Sequence, residues 1–144
     1  MTEIKQISLF VENKPGRMAK VSKTLSDANV NIRALTIAEA GDFGVIRMVV
    51  DDPEKGYKVL KDNGFTVSTT EVLAVEMKDT PGGLYTIVNT LGESSVNVDY
   101  AYAFVTAKAH KAMLILRVDD IARAREALET KGIKIATKEE IQAI

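Results

Sequence analysis

The strongest constraint on the fold is an internal repeat, because the 144-residue chain contains the same pattern twice. Pro15, which a glycine follows, returns as Pro81, also followed by glycine, 66 positions later. The sequence NVNI at residues 29–32 returns as SVNV at residues 95–98, at the same offset. A period this long with only two copies indicates a tandem pair of modules rather than a solenoid.

The later matches show where the two copies differ in length. Gly64 pairs with Gly132 at an offset of 68, so two residues are inserted upstream of this match. We expect the insertion in the second copy's counterpart of residues 38–45, where a loop connects two strands. The predicted modules are residues 1–70 and residues 71–144.

The hydrophobic pattern of the first copy predicts the order strand, helix, strand, strand, helix, strand. Residues 6–11 alternate with a period of two, which is typical of a strand. Strand-like segments also cover residues 31–38, 45–50 and 65–70. The second copy repeats this order, which predicts an α+β protein. Apolar residues at helical spacing define the face of the first helix: Met18, Val21, Leu25 and Ala28.

Boundary residues support these elements in the first copy. Asn29 is suited to a left-handed position that closes the first helix. Asp52 and Pro53 predict the start of the second helix, with a capping carboxylate before a proline at the first helical position. Gly64 ends that helix, and residues 41–44 form a turn between two strands.

The second copy differs in two details, and nothing separates it from the first. Ser95 replaces the helix-closing asparagine, and residues 107–112 replace the glycine-containing turn with a longer connection. Residues 67–77 contain neither glycine nor proline, so the last strand of one copy is expected to continue into the first strand of the next. We therefore predict that the two antiparallel sheets lie side by side or merge.

The Pro-Gly pair stands between an apolar strand and an amphipathic helix. Gly16 and Gly82 allow unusual backbone angles and the close approach of another group. The helix that follows presents free amides and a partial positive charge, which suit a carboxylate or a phosphate. Gly83 extends this freedom in the second copy. The alternative is that Pro-Gly only turns the chain, and retention of the motif in both copies favours a binding role.

Acceptor groups accompany both loops. Asn13 and Asp79 each lie two residues before the proline, where their oxygens can accept from an ammonium group. Asn31 and Asn97 repeat at the start of the second strand, where each is also suited to bonding its own backbone in a turn. A site for one carboxylate and one ammonium group describes a free α-amino acid.

These residues resemble the ACT domain, a ferredoxin-like βαββαβ module that senses amino acids. The resemblance lies in the Asn/Asp-x-Pro-Gly loop, the helix ending near residues 29–32 and the acidic-proline start of the second helix. It covers residues 4–70 and 71–141, as in small proteins made of two ACT domains. It implies a noncatalytic regulator that uses no cofactor, with a metabolic enzyme as one candidate partner. The lack of targeting and membrane segments predicts a cytoplasmic location, and the remaining sheet edges and uncovered faces predict a homodimer.

The resemblance also implies a binding site. In the family, the ligand usually lies between two modules, held by the Pro-Gly loop of one and the second-strand start of another. Copy two departs from copy one at Asp79 and Ser95, so we expect unequal affinity at the two sites. The residues implied are Asn13, Pro15, Gly16, Arg17, Met18, Asn31 and Ile32 in the first copy, and Asp79, Pro81, Gly82, Gly83, Leu84, Asn97 and Val98 in the second.

Composition excludes several other classes. The chain has no cysteine, which removes disulfides and thiolate chemistry. Its 19 basic and 20 acidic residues are interspersed, so no single-sign field recruits nucleic acid. The sequence shows no signal-peptide pattern and no apolar run long enough to cross a membrane. These features predict a soluble chain with no nucleic-acid or membrane partner.

Three further features favour structural roles. His110 is the only histidine and is expected in an exposed loop rather than at a metal. The pairs Asp51-Asp52 and Asp119-Asp120 are explained as helix caps rather than as a metal site. Tyr100, Tyr102 and Phe104 alternate on one strand face, where core packing is favoured over a pocket or an interface.

Several functions compete on this fold. A regulatory subunit of a biosynthetic enzyme such as acetohydroxyacid synthase is the alternative within the regulatory class. An acylphosphatase-like enzyme would use Arg17 to hold phosphate, but no base or nucleophile accompanies this residue. An RNA-binding domain would need exposed aromatic residues and a basic surface, and the first copy's strands show neither at the places that match Tyr100, Tyr102 and Phe104. The repeated loop favours the amino-acid sensor.

Overall fold

The computed structural model describes residues 3–107 and 110–143. The chain divides into two compact units, of which the first is residues 5–70 and the second is mainly residues 71–142. The boundary falls inside one strand, which confirms the prediction that no linker interrupts residues 67–77.

The first unit packs two helices on an antiparallel sheet. Strands β2, β3 and β1 are neighbours in that order. Leu9 lies opposite Ile46 in the pairing of β1 with β3, and Ile37 lies opposite Ile46 in the pairing of β2 with β3. The elements are β1 (Glu3–Glu12), α1 (Arg17–Asp27), β2 (Ile32–Ala40), β3 (Phe43–Val50), α2 (Pro53–Asp62) and the beginning of β4 (Thr66–Lys78).

The second unit repeats this plan, with strands in the order β4, β6 and β5. Leu73 and Ala101 both lie opposite Leu116 of the central strand. The predicted α+β class, with two antiparallel βαββαβ-type modules, is confirmed. Beyond β4, the elements are α3 (Gly83–Glu93), β5 (Val98–Val105), β6 (Lys111–Val118), α4 (Ile121–Thr130) and α5 (Lys138–Gln142).

The end of the second copy departs from the prediction of a final strand. Only one bridge forms there, between Val75 and Ile135. The chain then enters α5, because Thr137 and Glu140 form reciprocal hydrogen bonds. The Thr137 amide donates to Glu140 Oε1 at 3.2 Å, and the Glu140 amide donates to Thr137 Oγ1 at 3.1 Å. This capping box favours a helix over a longer strand.

Each unit has its own apolar core at matching positions. Leu25 in α1 and Leu91 in α3 are both completely buried, as are Leu60 in α2 and Leu128 in α4. Burying one such side chain contributes about 1.5 to 3 kcal/mol. Each helix is therefore held in place by one apolar face, and that face packs on the inner residues of its own sheet.

The predicted helix boundaries are confirmed. Asp52 Oδ1 accepts from the Lys55 amide at 3.1 Å, and Asp120 Oδ1 accepts from the Arg123 amide at 3.0 Å. Asn29 has φ 58°, which is the left-handed conformation predicted for it. None of the helices in the described part of the chain has the length and apolar character needed to cross a bilayer.

The two strand connections differ slightly from the prediction. In the first unit, β2 ends at Ala40 and β3 begins at Phe43, so the turn is shorter than the predicted residues 41–44. In the second unit β6 begins at Lys111, so the connection ends before the predicted Ala112. Residues 108–109 of this connection lie outside the described part of the chain.

Candidate functional site

The two Pro-Gly loops have the same backbone geometry. Gly16 has φ 90° and Gly82 has φ 88°, and each is the N-cap of the helix that follows. The carbonyl of Gly16 accepts from the Lys20 amide at 3.0 Å, and that of Gly82 accepts from the Thr86 amide at 3.1 Å. A positive φ near 90° favours glycine, because a Cβ atom there crowds the backbone.

Both helices begin without a side-chain cap. Neither Gly16 nor Gly82 has a side-chain acceptor to offer the first turn. Within the described residues, no loop or cap hydrogen bond involves the amides of Met18 and Ala19 in α1. Such first-turn amides, together with the helix dipole, attract an anion.

The residue two positions before each proline is tied to the neighbouring strand connection. The Asn13 amide donates to the Asp42 carbonyl at 2.8 Å, and its Nδ2 donates to the Gly41 carbonyl at 3.2 Å. The Asp79 amide donates to the His110 carbonyl at 2.8 Å. The Asn13 side chain is thus held by its nitrogen, which leaves the amide oxygen as an acceptor.

Three charges surround the first loop, a feature that sequence reasoning missed. Glu12 forms ion pairs with Lys14 at 3.2 Å and with Arg17 at 2.8 Å. The hydrogen bond from Lys14, followed by the charges of Lys14 and Arg17, lowers the pKa of the Glu12 carboxyl below its ordinary value. The corresponding residues of the second copy are Lys78, Thr80 and Gly83, which form no such group. The closely spaced charges of Glu12, Lys14 and Arg17 were the available signal.

The exposure of the candidate residues follows this geometry. Asn13, Pro15 and Gly16 are exposed, whereas Arg17 and Met18 are half-buried. In the second unit Gly83 is half-buried, and the other loop residues are exposed: Asp79, Pro81, Gly82 and Leu84.

The second-strand starts are held by aspartates. The Asn31 amide donates to Asp51 Oδ1 at 2.9 Å, and the Asp51 amide donates back to the Asn31 carbonyl at 3.0 Å. Asn97 and Asp119 make the same pair at 2.9 and 3.2 Å. The prediction of helix caps at the Asp-Asp pairs is confirmed for the second residue of each pair and does not extend to the first. Asp52 and Asp120 are caps, and the preceding aspartates brace a strand, because their carboxylates lie within reach of its first amide.

We expect this brace to be measurable in the first unit. Asp51→Ala removes the acceptor of the Asn31 amide and should lower the free energy of unfolding by about 1 kcal/mol, as measured by urea denaturation. Asp51→Asn keeps an acceptor oxygen and should recover most of that loss. Equal destabilisation by both variants would contradict a hydrogen-bonding role for this carboxylate.

The strand start also borders a depression of about 370 Å³ in the first unit. Asn31, Ile32 and Asp51 line it on one side, and Ser22 and Ser26 of α1 line it on the other. Ile32 and its counterpart Val98 are half-buried, whereas Asn31 and Asn97 are exposed.

No single module brings the loop and the strand start together. Gly16 precedes α1 and Asn31 follows it, and the helix has 11 residues. At 1.5 Å per residue, the two groups are separated by about 16 Å. Gly82 and Asn97 are separated in the same way by α3, which also has 11 residues. A free amino acid cannot span that distance, so one module offers each half of the implied site but not both.

Other candidate residues take structural positions. His110 is exposed and has φ 60°, as expected for a loop. Among the residues that the structure describes, no group of three or more histidine or acidic side chains could hold a metal ion. The prediction of core packing for the β5 aromatics is wrong, because they pair with β6 residues on the sheet face opposite to the one that contributes Leu114, Leu116 and Val118 to the core. These side chains are only half-buried: Tyr100, Tyr102 and Phe104.

The fold and the repeated loop define a tandem pair of βαββαβ modules. A family model described as "ACT domain pair" matches residues 1–144. The chain belongs to this family, which confirms the resemblance found in the sequence. No curated protein matches the chain.

Solved structures share this fold. Protein BT0572 from Bacteroides thetaiotaomicron is 35% identical, with a TM-score of 0.93, and the match covers 99% of this chain and 98% of that one. The regulatory subunit of aspartate kinase from Thermus thermophilus, in its ligand-free form, is 14% identical with a TM-score of 0.65. That match covers 88% of this chain and 91% of the subunit. The corresponding subunit from Thermus flavus is 14% identical, with a TM-score of 0.63 over 90% and 93% of the two chains.

Proposed function

We propose that the protein is a noncatalytic regulator that binds a free amino acid at its Pro-Gly loops. The observation that carries this proposal is the shared loop geometry. Gly16 and Gly82 keep φ 90° and 88°, although the side chains around them have diverged. Conservation of backbone shape rather than of side chains suits a ligand that is bound mainly by backbone amides.

The chemistry of the loops supports an amino acid rather than a simple anion. The uncapped first turn of each helix suits a carboxylate. Asn13 provides a neutral acceptor for the ammonium group, whereas Asp79 provides a charged one. The stronger attraction of a carboxylate for an ammonium group supports tighter binding at the second loop, unless other contacts compensate.

The separation of loop and strand start supports an assembly. Asn31 and Asn97 each lie about 16 Å from the loop of their own module, by the length of the helix between them. In this proposal, the contacts from the strand starts come from a second copy of the chain in a homodimer. Ligand binding would then change the stability of the dimer, which is how the protein would signal allosterically.

The output of this signal is proposed to be the control of a metabolic enzyme in the cytoplasm. The structural similarity to proteins described as regulatory subunits of aspartate kinase supports a role beside an enzyme. A second candidate function is that of a regulatory subunit of an enzyme, which would use the same ligand site. The two candidates differ in whether a partner enzyme is bound.

The test is a calorimetric titration of the intact protein with each of the twenty amino acids. A ligand at about 100 times its Kd stabilises the folded state by roughly 2.7 kcal/mol. For a chain of this size the melting temperature should rise by about 5 to 10 °C. Flat titrations and unchanged melting curves for all twenty would exclude the sensor function.

A matched pair of variants locates the site. Gly16→Ala and Gly64→Ala both place a side chain at positive φ, 90° and 86°, and neither Cβ would meet another atom within 4 Å. Backbone strain should therefore destabilise both variants by a similar amount, about 1 to 2 kcal/mol. Only Gly16→Ala, and its counterpart Gly82→Ala, should weaken ligand binding beyond that loss. Binding at parental affinity in the Gly16→Ala, Gly82→Ala double variant would place the ligand elsewhere.

A further inference from the structure

A different depression, here called the rim pocket, occurs in both units, where the first strand ends and the first helix begins. The first rim pocket has a volume of about 280 Å³ and includes Phe10, Arg17, Phe43 and Phe65. The second rim pocket has a volume of about 240 Å³ and lies at the equivalent positions of the second copy. Each pocket is closed on its far side by the segment that follows the module's second helix. Its recurrence shows that the pocket is a property of the module.

The walls of the first rim pocket are aromatic. The rings of Phe10 and Phe43 stack with centroids 4.8 Å apart and planes inclined by 13°. Both remain largely exposed, at 48% and 42%. The ring of Phe65 lies under the Lys20 ammonium, with Nζ 5.5 Å from the centroid. The exposed, stacked ring pair offers a flat partner a large apolar contact.

A guanidinium group lies among these rings. Arg17 Nη2 donates to Glu12 Oε1 at 2.8 Å, which uses one of its donors. Arg17 Nε is buried and, among the described residues, has no hydrogen-bond acceptor. A guanidinium has five N–H donors and the Arg17 side chain is 30% exposed, so its remaining Nη–H groups, rather than the buried Nε, can serve a second carboxylate while it keeps its pair with Glu12. Lys20 adds a second positive charge at the same wall.

The second rim pocket has lost both features. Glu76 and Lys111 replace Phe10 and Phe43, and they form an ion pair of 3.3 Å in place of the ring stack. Gly83 replaces Arg17, and Ile133 replaces Phe65. The shape has therefore been kept in both copies, whereas the aromatic and guanidinium groups belong to one.

We propose that the first rim pocket binds a small aromatic carboxylate and that the second does not. The ligand's ring packs against Phe10 and Phe43, and its carboxylate accepts from Arg17, with Lys20 nearby. This site shares Arg17 with the residues implied for the amino-acid site, but it differs from that site because it requires a flat ring and needs no acceptor for an ammonium group.

The test uses 3-phenylpropionate, an aromatic carboxylate without an ammonium group, titrated into the intact protein and followed by calorimetry and by amide chemical shifts. We expect saturable binding with a Kd of about 1 mM or tighter. Phe43→Ala should weaken it about three- to tenfold, since it removes half of the ring stack. Arg17→Gln should weaken it at least about tenfold, since it removes a charged donor. The saturated analogue 3-cyclohexylpropionate should bind more weakly than the probe.

The second unit supplies the matched control. Lys111→Ala alters the position equivalent to Phe43 and should leave the affinity for the probe within about twofold. Asn13→Ala, which removes the proposed ammonium acceptor, should also leave it unchanged, so the amino-acid proposal can fail without affecting this one. Each variant's urea midpoint is measured to confirm that it is folded.

Three results would overturn the proposal: no saturable binding, parental affinity in folded Phe43→Ala and Arg17→Gln, or equal loss in Lys111→Ala. The proposal would also be overturned if Phe43→Ala changed the oligomeric state, as seen by sedimentation, and the probe did not bind. That result would assign the ring pair to an interface between copies instead.

Discussion

Leu91→Ala is expected to lower the free energy of unfolding by about 3 to 4 kcal/mol. Leu91 is completely buried in the core of the second unit, where it packs among Ile87, Leu114 and Leu128. Removing its side chain loses the transfer free energy of the buried atoms and leaves a cavity that rigid neighbours fill only in part. The measurement is the shift of the urea midpoint at a constant slope.

The same helix contains the control for this variant. Leu84→Ala removes the same atoms from a side chain that is 50% exposed, so its cost should stay below about 1 kcal/mol. A loss at Leu91 no larger than that at Leu84 would contradict the packing of α3 on its sheet.

Gly83→Ala is expected to lower the free energy of unfolding by about 2 to 3 kcal/mol. A Cβ at this position would overlap the carbonyl oxygen of Lys78, a backbone atom that cannot turn aside as a side chain does. The first turn of α3 must therefore move away from the end of β4. Thermal and urea unfolding both report this loss.

Gly92→Ala, in the same helix, is expected to change the free energy of unfolding in the opposite direction. A Cβ at Gly92 would meet no atom within 4 Å, and its φ is not positive. Alanine there should stabilise the protein by about 0.5 to 1 kcal/mol, because it restricts the unfolded chain and favours the helix. If Gly83→Ala were as harmless as Gly92→Ala, the close approach of α3 to β4 would be wrong.

The two copies have diverged in the chemistry of their loops more than in their geometry. The first loop carries the Glu12, Lys14 and Arg17 group, whereas the second has Gly83 where Arg17 stands. Because the pKa of Glu12 is lowered in the folded protein, its ionised carboxylate stabilises the folded state at pH values above its unfolded pKa. The contribution is lost as the pH falls through the lower folded value. Because the group is exposed, the effect should be small.

Local rules explain what the sequence by itself determined. The repeat is visible in the sequence itself. The positive φ of Gly16 and Gly82 and the caps at Asp52 and Asp120 depend on interactions within a few residues. Cβ sterics and side-chain capping act at that range, so these features can be inferred without a fold. The α+β class followed from the same local periodicities.

The tertiary structure decided which distant residues meet. The bond from Asn31 to Asp51 joins residues 20 positions apart, and the stack of Phe10 on Phe43 joins two strands. Neither pairing follows from local preference, because each depends on strand register and on the path of the helix between strands. The single strand bridge between Val75 and Ile135 also depended on the fold, whereas the helix after it can be read locally from the capping-box spacing of Thr137 and Glu140. Helix length likewise placed the Pro-Gly loop and the second-strand start at opposite ends of each module, so the module alone offers two half-sites.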